Sequence, residues 1–513
     1  MVTSSFRCVR RAILQSVLPL DGEKSSKALV GTLKHELFEQ ALVYRQWSTP
    51  FLIEATQTIL KNHIEALLEC KLSEHEALSL VEPVYSDIAT WMISFLGVNE
   101  RSKKVSKSNV VRMSSGSRDD TSEHITVHEL IATEDMIWST KWGLKGATDA
   151  TVCASVGKNA PTILPLELKT GNRAFSEVEH RGQVMLYTLL LKERYQHMKT
   201  SASNSGLLIY FPGPQTEGVV ASELYARALV QARNRIAVHL RPFHFQGKAS
   251  LLNHNETFLP PMLNSAFECS KCFQKRECLL YRASSENESE IKLEPAIEQI
   301  ASEQLGHLST SHLAYFNHWN RLLDVEKRHA TKSMRNMWLK SVDARELDGH
   351  TLGSLVLHDM KVDASTVLVH FTRPYVCFSC RRFYFSKFQH FIIYFCRSRP
   401  DDMDTTPFTK GDPVIVSIGS EQSVILHVCR GEIVKMTSND VSVSIRISVY
   451  EALKKHSVSQ KCWRLDKDIF FSAMNRSKSN LIKLFVGSNA VTLDTIGVHA
   501  TRTRLVKIPQ TST

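Results

Sequence analysis

The chain has 513 residues, of which 43% are hydrophobic and 22% charged, ordinary globular usage that rules out a disordered, collagen-like or coiled-coil chain. No apolar run approaches the ~18 residues of a membrane-spanning helix. The basic start at Arg7, Arg10 and Arg11 leads only to the short patch Val17-Leu18-Pro19-Leu20, so neither membrane insertion nor secretion is expected. A net charge of +11 suits a polyanion such as nucleic acid, and eleven cysteines without a secretory signal favour metal or cluster ligation in a reducing compartment.

From residue 27 to 96 the pattern predicts helices: Leu33, Leu37, Phe38 and Leu42 form one apolar stripe, and others run through 59–68 and 88–96. Residues 101–124 are polar, basic and Ser-rich, and read as a surface loop. Strands are expected at 125–131, 147–155 and 162–169. A helix follows at 176–195, where Val184, Tyr187 and Leu191 share a face, then a strand at 206–211 and a basic helix at 222–240. That order predicts an α/β core. Residues 284–296 open on an acidic, Ser-rich run and read as a linker. Helical period returns at 297–330. Beyond Leu352, short β-rich runs at 354–357, 366–371, 413–418, 424–428 and 441–449, with Gly and Asp between several of them, predict a small barrel.

The first chemical constellation is Asp149 with Glu167-Leu168-Lys169. On a strand, Glu167 and Lys169 point the same way. A neighbouring strand carrying Asp149 would add a second carboxylate, giving hard oxygen donors for Mg²⁺ or Mn²⁺. Such ions activate water for phosphodiester cleavage, and Lys169 could offset developing charge. The plainer reading is a solvated Glu-x-Lys pair at a strand end, although Leu164-Pro165-Leu166 leads in from apolar surroundings.

Gln183 and Tyr187 lie four apart on the next helix and could contact a phosphate and a base; Tyr187 could equally be a core aromatic. His35 is either a packing residue or a third metal ligand. Cys269, Cys272 and Cys278 put three thiols within ten residues, one donor short of a tetrahedral zinc or an iron–sulfur cluster. Cys8, Cys70 and Cys153 are the candidates for the fourth, and zinc is the usual choice on spacing alone. A rival pair, Cys377 and Cys380 with Cys396 downstream, sits in a stretch rich in Arg and aromatics and free of acids. It could bind single strands. We read it instead as an insertion without native packing, because no turn or period organises it.

Four segments then carry a resemblance: Gly31-Thr32-Leu33-Lys34-His35-Glu36; Trp138 through Gly146 leading to Asp149; Pro165-Leu166-Glu167-Leu168-Lys169-Thr170-Gly171; and Glu179 through Gln183 to Tyr187. With Cys8, Cys269, Cys272 and Cys278, their order and spacing resemble the RecB-type branch of the PD-(D/E)XK nucleases. Within that branch they are similar to the nuclease portion of the eukaryotic DNA replication ATP-dependent helicase/nuclease family. The resemblance implies a restriction-endonuclease-like α/β core over 1–283, a linker at 284–296, a helical stalk over 297–345, a small β-barrel over 346–485 interrupted at 375–400, and a tail at 486–513. It implies that His35, Asp149 and Glu167 ligate Mg²⁺ or Mn²⁺, that Lys169 is the active-site lysine, and that Gln183 and Tyr187 are the Gln-x3-Tyr signature of the branch. The four cysteines would hold a 4Fe–4S cluster, displacing zinc.

The activity so implied is endonuclease cleavage of single-stranded DNA, including 5′ flaps, in Okazaki fragment maturation and in end resection during repair. Single-stranded and flapped DNA are the expected partners, with a single-strand-binding protein beside them, in the nucleus and in mitochondria. Three departures stand out. Cys8 lies almost at the first residue, 375–400 has no counterpart in the family, and no Gly-x4-Gly-Lys-Ser/Thr phosphate loop occurs. Neither ATP hydrolysis nor unwinding is therefore expected. The rival from another class is a catalytically silent single-strand binder or scaffold, which would keep its DNA affinity in chelator and never cleave.

Overall fold

The computed structural model of the protein describes residues 1–18, 26–96, 109–114, 120–171, 177–196, 198, 200–213, 215–245, 259–285, 292–362, 366–372, 407–419, 424–437, 440–450, 452–454, 463–468 and 472–486. Helix α1 (Val9–Val17) starts at Cys8, whose sulfur accepts from the Arg11 backbone N–H as an N-cap. Then come α2 (Ser26–Tyr44), α3 (Thr49–Asn62), α4 (Ile64–Glu69), α5 (Glu74–Val81) and α6 (Val84–Phe95). Ser73 and Glu76 close a capping box that fixes where α5 begins. The predicted stripe is the buried one: Leu33, Leu37, Phe38 and Leu42 pack with Ile59, Ile88 and Trp91 over Val152, Leu164, Leu166 and Leu207 of the sheet.

That sheet consists of β1 (Val110–Ser114), β2 (Thr121–Ser139), β3 (Leu144–Val156), β4 (Thr162–Lys169), β5 (Ser205–Tyr210) and β6 (Gln215–Val220), paired in this order and closed by a parallel β1–β6 pairing. Strands β4 and β5 are parallel and need a crossover, which α7 (Glu177–Arg194) supplies. The expected loop at 101–124 is corrected in part. Val110 to Ser114 forms β1 and Thr121 already belongs to β2, because alternate residues such as Val111 and Ile125 bury while the polar ones face out. Residues 101–108 and 115–119 lie outside the described set.

Helix α8 (Glu223–Phe245) follows, then α9 (Ala266–Ser270), α10 (Lys275–Ser285), α11 (Pro295–Leu305), α12 (Thr310–Leu339) and α13 (Val342–Leu347). Ser284 and Ser285, read as linker, continue α10, and Pro295 opens α11 at its first turn. A second closed barrel is formed by β7 (Thr351–Val362), β8 (Thr366–Thr372), β9 (Pro413–Gly419), β10 (Val424–Met436), β11 (Asp440–Arg446) and β12 (Trp463–Lys467), in the order β10-β11-β8-β7-β12-β9. Leu352, Phe371, Val414, Val443 and Trp463 fill it. Helix α14 (Ser472–Val486) does not stay on the barrel. Its Ile482, Phe485 and Val486 return to pack on Leu14, Leu280 and Phe316. The segment 375–400, with Cys377, Cys380 and Cys396, lies outside the described residues.

The two barrels are docked through buried polar groups. The Arg194 guanidinium, at the end of α7, donates to the carbonyls of Leu426, His427 and Val428 at 2.9–3.0 Å and stands 3.7 Å from Asp135. Trp138 of β2 stacks between Trp338 of α12 and His427 of β10, at centroid distances of 5.4 and 5.0 Å. Burial, with the Arg194 charge behind it, pushes the His427 imidazole down to about 3, so it stays neutral in this joint.

Candidate active site

Antiparallel pairing of β3 and β4 sets Ala150 opposite Leu166, so Asp149 and Glu167 come side by side, between the buried Leu166 and Leu168. The Lys169 Nζ lies 2.5 Å from Glu167 Oε1. Asp149 Oδ2 accepts from the Leu168 backbone N–H at 2.6 Å, and His35 Nδ1 from α2 stands 3.5 Å from the same oxygen. From α7, Gln183 Nε2 donates to Glu167 Oε1 and to the Tyr187 hydroxyl, each at 2.7 Å. Six residues singled out from the sequence are thus brought together from α2, β3, β4 and α7. Glycine has a steric role here: a Cβ on Gly146 would lie 2.8 Å from the Tyr187 ring, so only hydrogen lets the ring close over β3.

The site is buried and carries like charges. Glu167 is 2% exposed. Burial, then the Asp149 charge, lifts its carboxyl to about 7 against the pull of Lys169. Burial opposes the charged form of His35, but the hydrogen bond and charge of Asp149 outweigh it and the net direction is up. Burial, with the Glu167 charge, drives the Tyr187 phenol well up, so it keeps its proton. Glu167 Oε2 is buried and has no hydrogen-bond partner among the described residues. Such an oxygen is costly unless something else satisfies it. One imidazole and two carboxylates, one of them with that orphan oxygen, are a donor set that fits a hard divalent cation. Among the described residues, no three His, Cys, Asp or Glu side chains already stand in a ligating arrangement.

Sequence reasoning missed Glu39 and Glu134. Both line a cleft of about 830 Å³ with Lys27, Thr32, His35, Glu36 and Thr170, together with Arg446, Ile447 and Ser448 of the second barrel. Burial, then the charge of Glu134 and a hydrogen bond to it, raises the Glu39 carboxyl to about 9. Glu39 is one turn beyond His35 and could have been found by helical spacing. Glu134 could not: its φ of 46° lies in the left-handed region, and the register of β2 on β3 shifts between Leu130 and Ala132, so pairing counted from the start of β2 does not set it beside Asp149.

The cysteines form a separate place. Cys8, Cys269, Cys272 and Cys278 line one cavity of about 40 Å³ with Arg11, Met262, Gln274, Lys275 and Ile297. Arg10 Nε donates to Cys278 Sγ at 3.2 Å, and the Cys269 thiol is 3.0 Å from the Leu263 carbonyl. Burial raises the thiols of Cys269 and Cys272, and that of Cys278 to about 11. None of the four is in a disulfide, nor is Cys70, Cys153 or Cys429, none of which lines this cavity. Four sulfurs around one largely apolar cavity, with Arg10, Arg11 and Lys275 close by to offset thiolate charge, fit a cluster as a donor set. The shared cavity, rather than the spacing alone, places Cys8 beside the other three.

Comparison with known proteins points the same way. Residues 1–154 match the family model described as DNA replication factor Dna2. The human DNA replication ATP-dependent helicase/nuclease DNA2 is 32% identical over 368 residues, covering 69% of this chain and 33% of that protein. The Arabidopsis thaliana helicase/nuclease JHS1 is 28% identical over 94% of this chain and 35% of its own length. The Saccharomyces cerevisiae DNA2 protein is 24% identical over 99% of this chain and 33% of its own. The chain therefore spans about a third of the length of these relatives.

Proposed function

Because the chain belongs to the family of DNA replication helicase/nucleases, we propose that its first barrel and surrounding helices are a RecB-type PD-(D/E)XK nuclease core that cuts single-stranded DNA and flaps. The observation that carries this is the convergence of Asp149, Glu167 and Lys169, with Gln183 and His35 hydrogen-bonded or facing them, where the end of β4 runs beside the middle of β3. Bound by His35, Asp149 and Glu167, Mg²⁺ or Mn²⁺ would supply an activated water and stabilise the leaving oxygen of a phosphodiester.

The chain's own groups do the rest. Lys169 and Gln183 both donate to Glu167 Oε1 and so hold the carboxylate in one orientation. The Lys169 ammonium also offsets the charge that builds on the phosphate oxygens during attack. Tyr187 keeps its proton and can donate a hydrogen bond to the strand, while its ring walls the site against β3. A 4Fe–4S cluster on Cys8, Cys269, Cys272 and Cys278 would pin the first helix to α9 and α10, closing the core from its start to its end. We assign the chain to replication, at flaps left by Okazaki synthesis, and to end resection in repair, beside a single-strand-binding protein in nucleus and mitochondria.

The test is cleavage of a labelled single strand in Mg²⁺. Asp149→Ala, Glu167→Ala and Lys169→Ala should each abolish cleavage, chelator should abolish it in the wild type, and single-strand binding should persist in all. Near wild-type turnover by Asp149→Ala removes this site from the chemistry. Binding without any cleavage by the wild type favours the silent scaffold.

A further inference from the structure

We propose that Arg446, on the second barrel, is a phosphate-binding residue of the nuclease cleft, so that the strand is held between α2 and that barrel rather than on the nuclease core alone. The proposal deepens the nuclease reading above and rests on it.

Two parts of the fold line the cleft. From α2 and β2 come Lys27, His35, Glu36, Glu39 and Glu134; from the second barrel come Arg446, Ile447 and Ser448. Glu36 is already paired with His63 at 2.8 Å, and Glu39 shares a hydrogen bond with Glu134. The acids of α2 and β2 can hold cations but repel a bare phosphodiester. A polyanion lying there needs positive charge, which Lys27 supplies from the start of α2 and Arg446 from the second barrel. Arg446 is exposed, so its guanidinium is accessible to what enters the cleft. Arginine presents a planar donor fork that matches phosphate oxygens.

An exposed arginine is usually no more than solvated. Here its position is fixed. Arg446 ends β11 and caps the 3-10 turn Ile447–Val449, which lies against β2. Just beyond that turn, Ala452 is buried in one apolar cluster with Ile131, Ala132 and Tyr187 of the nuclease core. Arg194 ties β10 to the same core through three backbone carbonyls. The turn that presents Arg446 is therefore anchored beside the helix that carries Gln183 and Tyr187. Ser448 and Thr170 line the same space, and their hydroxyls can donate to further phosphate oxygens.

The experiment measures binding of a labelled oligonucleotide to the full chain in chelator, so that no cleavage occurs. Arg446→Ala should weaken binding about tenfold at moderate salt, as loss of a charge-assisted contact does. It should also lower the slope of log K against log salt by about 0.7, one phosphate contact on a single strand. Arg446→Lys should keep the slope and recover part of the affinity, and Arg446→Gln should lose the slope without truncating the side chain. Wild-type affinity and slope in both Arg446→Ala and Arg446→Gln would overturn the proposal. In a parallel assay with Mg²⁺ and no chelator, a wild type that binds but never cleaves would sink the nuclease reading instead, which separates the two failures.

Discussion

Gln183 holds Glu167 across the gap between α7 and β4 through an amide hydrogen bond of 2.7 Å, although sixteen residues separate them in the chain. The same nitrogen reaches the Tyr187 hydroxyl, so one amide sets the orientation of a proposed metal ligand and of the phenol beside it. Residues that orient a ligand are commonly worth 10–100-fold in metal affinity or activity. Gln183→Ala should therefore slow single-turnover cleavage by roughly that range, with little change in melting temperature. An unaltered single-turnover rate would mean that Glu167 is positioned without it.

The cysteine cavity predicts about four iron atoms per chain after anaerobic purification. Cys8→Ser, Cys269→Ser, Cys272→Ser and Cys278→Ser should each bleach the protein and lower its melting temperature. Because the thiols of Cys269, Cys272 and Cys278 lie above their usual range, loading should release protons and weaken as pH falls. Cys70→Ser should retain iron, since that thiol is outside the cavity. Iron retained in Cys8→Ser and lost in Cys70→Ser would assign the fourth ligand differently.

Glu39 gives a pH dependence of definite sign. Its ordinary value is 4.5 and its folded value about 9. Between those values the folded chain keeps a proton that the unfolded chain has released, so this residue makes stability fall as pH rises through the window. Below it both states are protonated, and above it both are ionised. Glu39→Gln removes the penalty. Thermal unfolding from pH 5 to 9 should show the variant gaining on the wild type as pH rises, and a gap that stays constant would contradict the assignment.

Gly146→Ala should cost about 1–3 kcal/mol, the usual price of forcing a buried contact apart, because its Cβ would meet the Tyr187 ring at 2.8 Å. It should slow cleavage as well, through displacement of the Tyr187–Gln183 pair. Gly171→Ala is the contrast for stability, since a Cβ there meets nothing within 4 Å. Equal melting temperatures for the two variants would show that the ring yields without strain.

Much of the site was legible because its residues sit on regular elements. Glu167 and Lys169 alternate on β4, and Gln183 and Tyr187 repeat on α7, so a period alone places each pair on one face. That Asp149 faces Glu167 depends only on β3 and β4 being neighbours. Strand β1 was hidden because just five residues of it stand within a polar, Ser-rich context, and its pairing with β6 spans more than a hundred residues. Glu134 was hidden by a backbone φ that no alternation rule anticipates. Arg194 was illegible for another reason. A basic residue in the last turn of a helix is ordinarily solvated or complements the helix dipole, and only the docked second barrel shows that this one is 3% exposed.

Arg194 also limits how the protein can be taken apart. A fragment ending at residue 283 would keep the guanidinium and Asp135 but lose all three carbonyls that accept from it, along with His427 from the face of Trp138. Removing the partners of a buried charge costs about 3–5 kcal/mol, a large share of the stability of an ordinary domain. The two barrels are thus inherited as one solvent-excluded joint. Chimeras or truncations that exchange one barrel for another must carry β10 with α7, or replace Arg194 by an apolar residue at the same time.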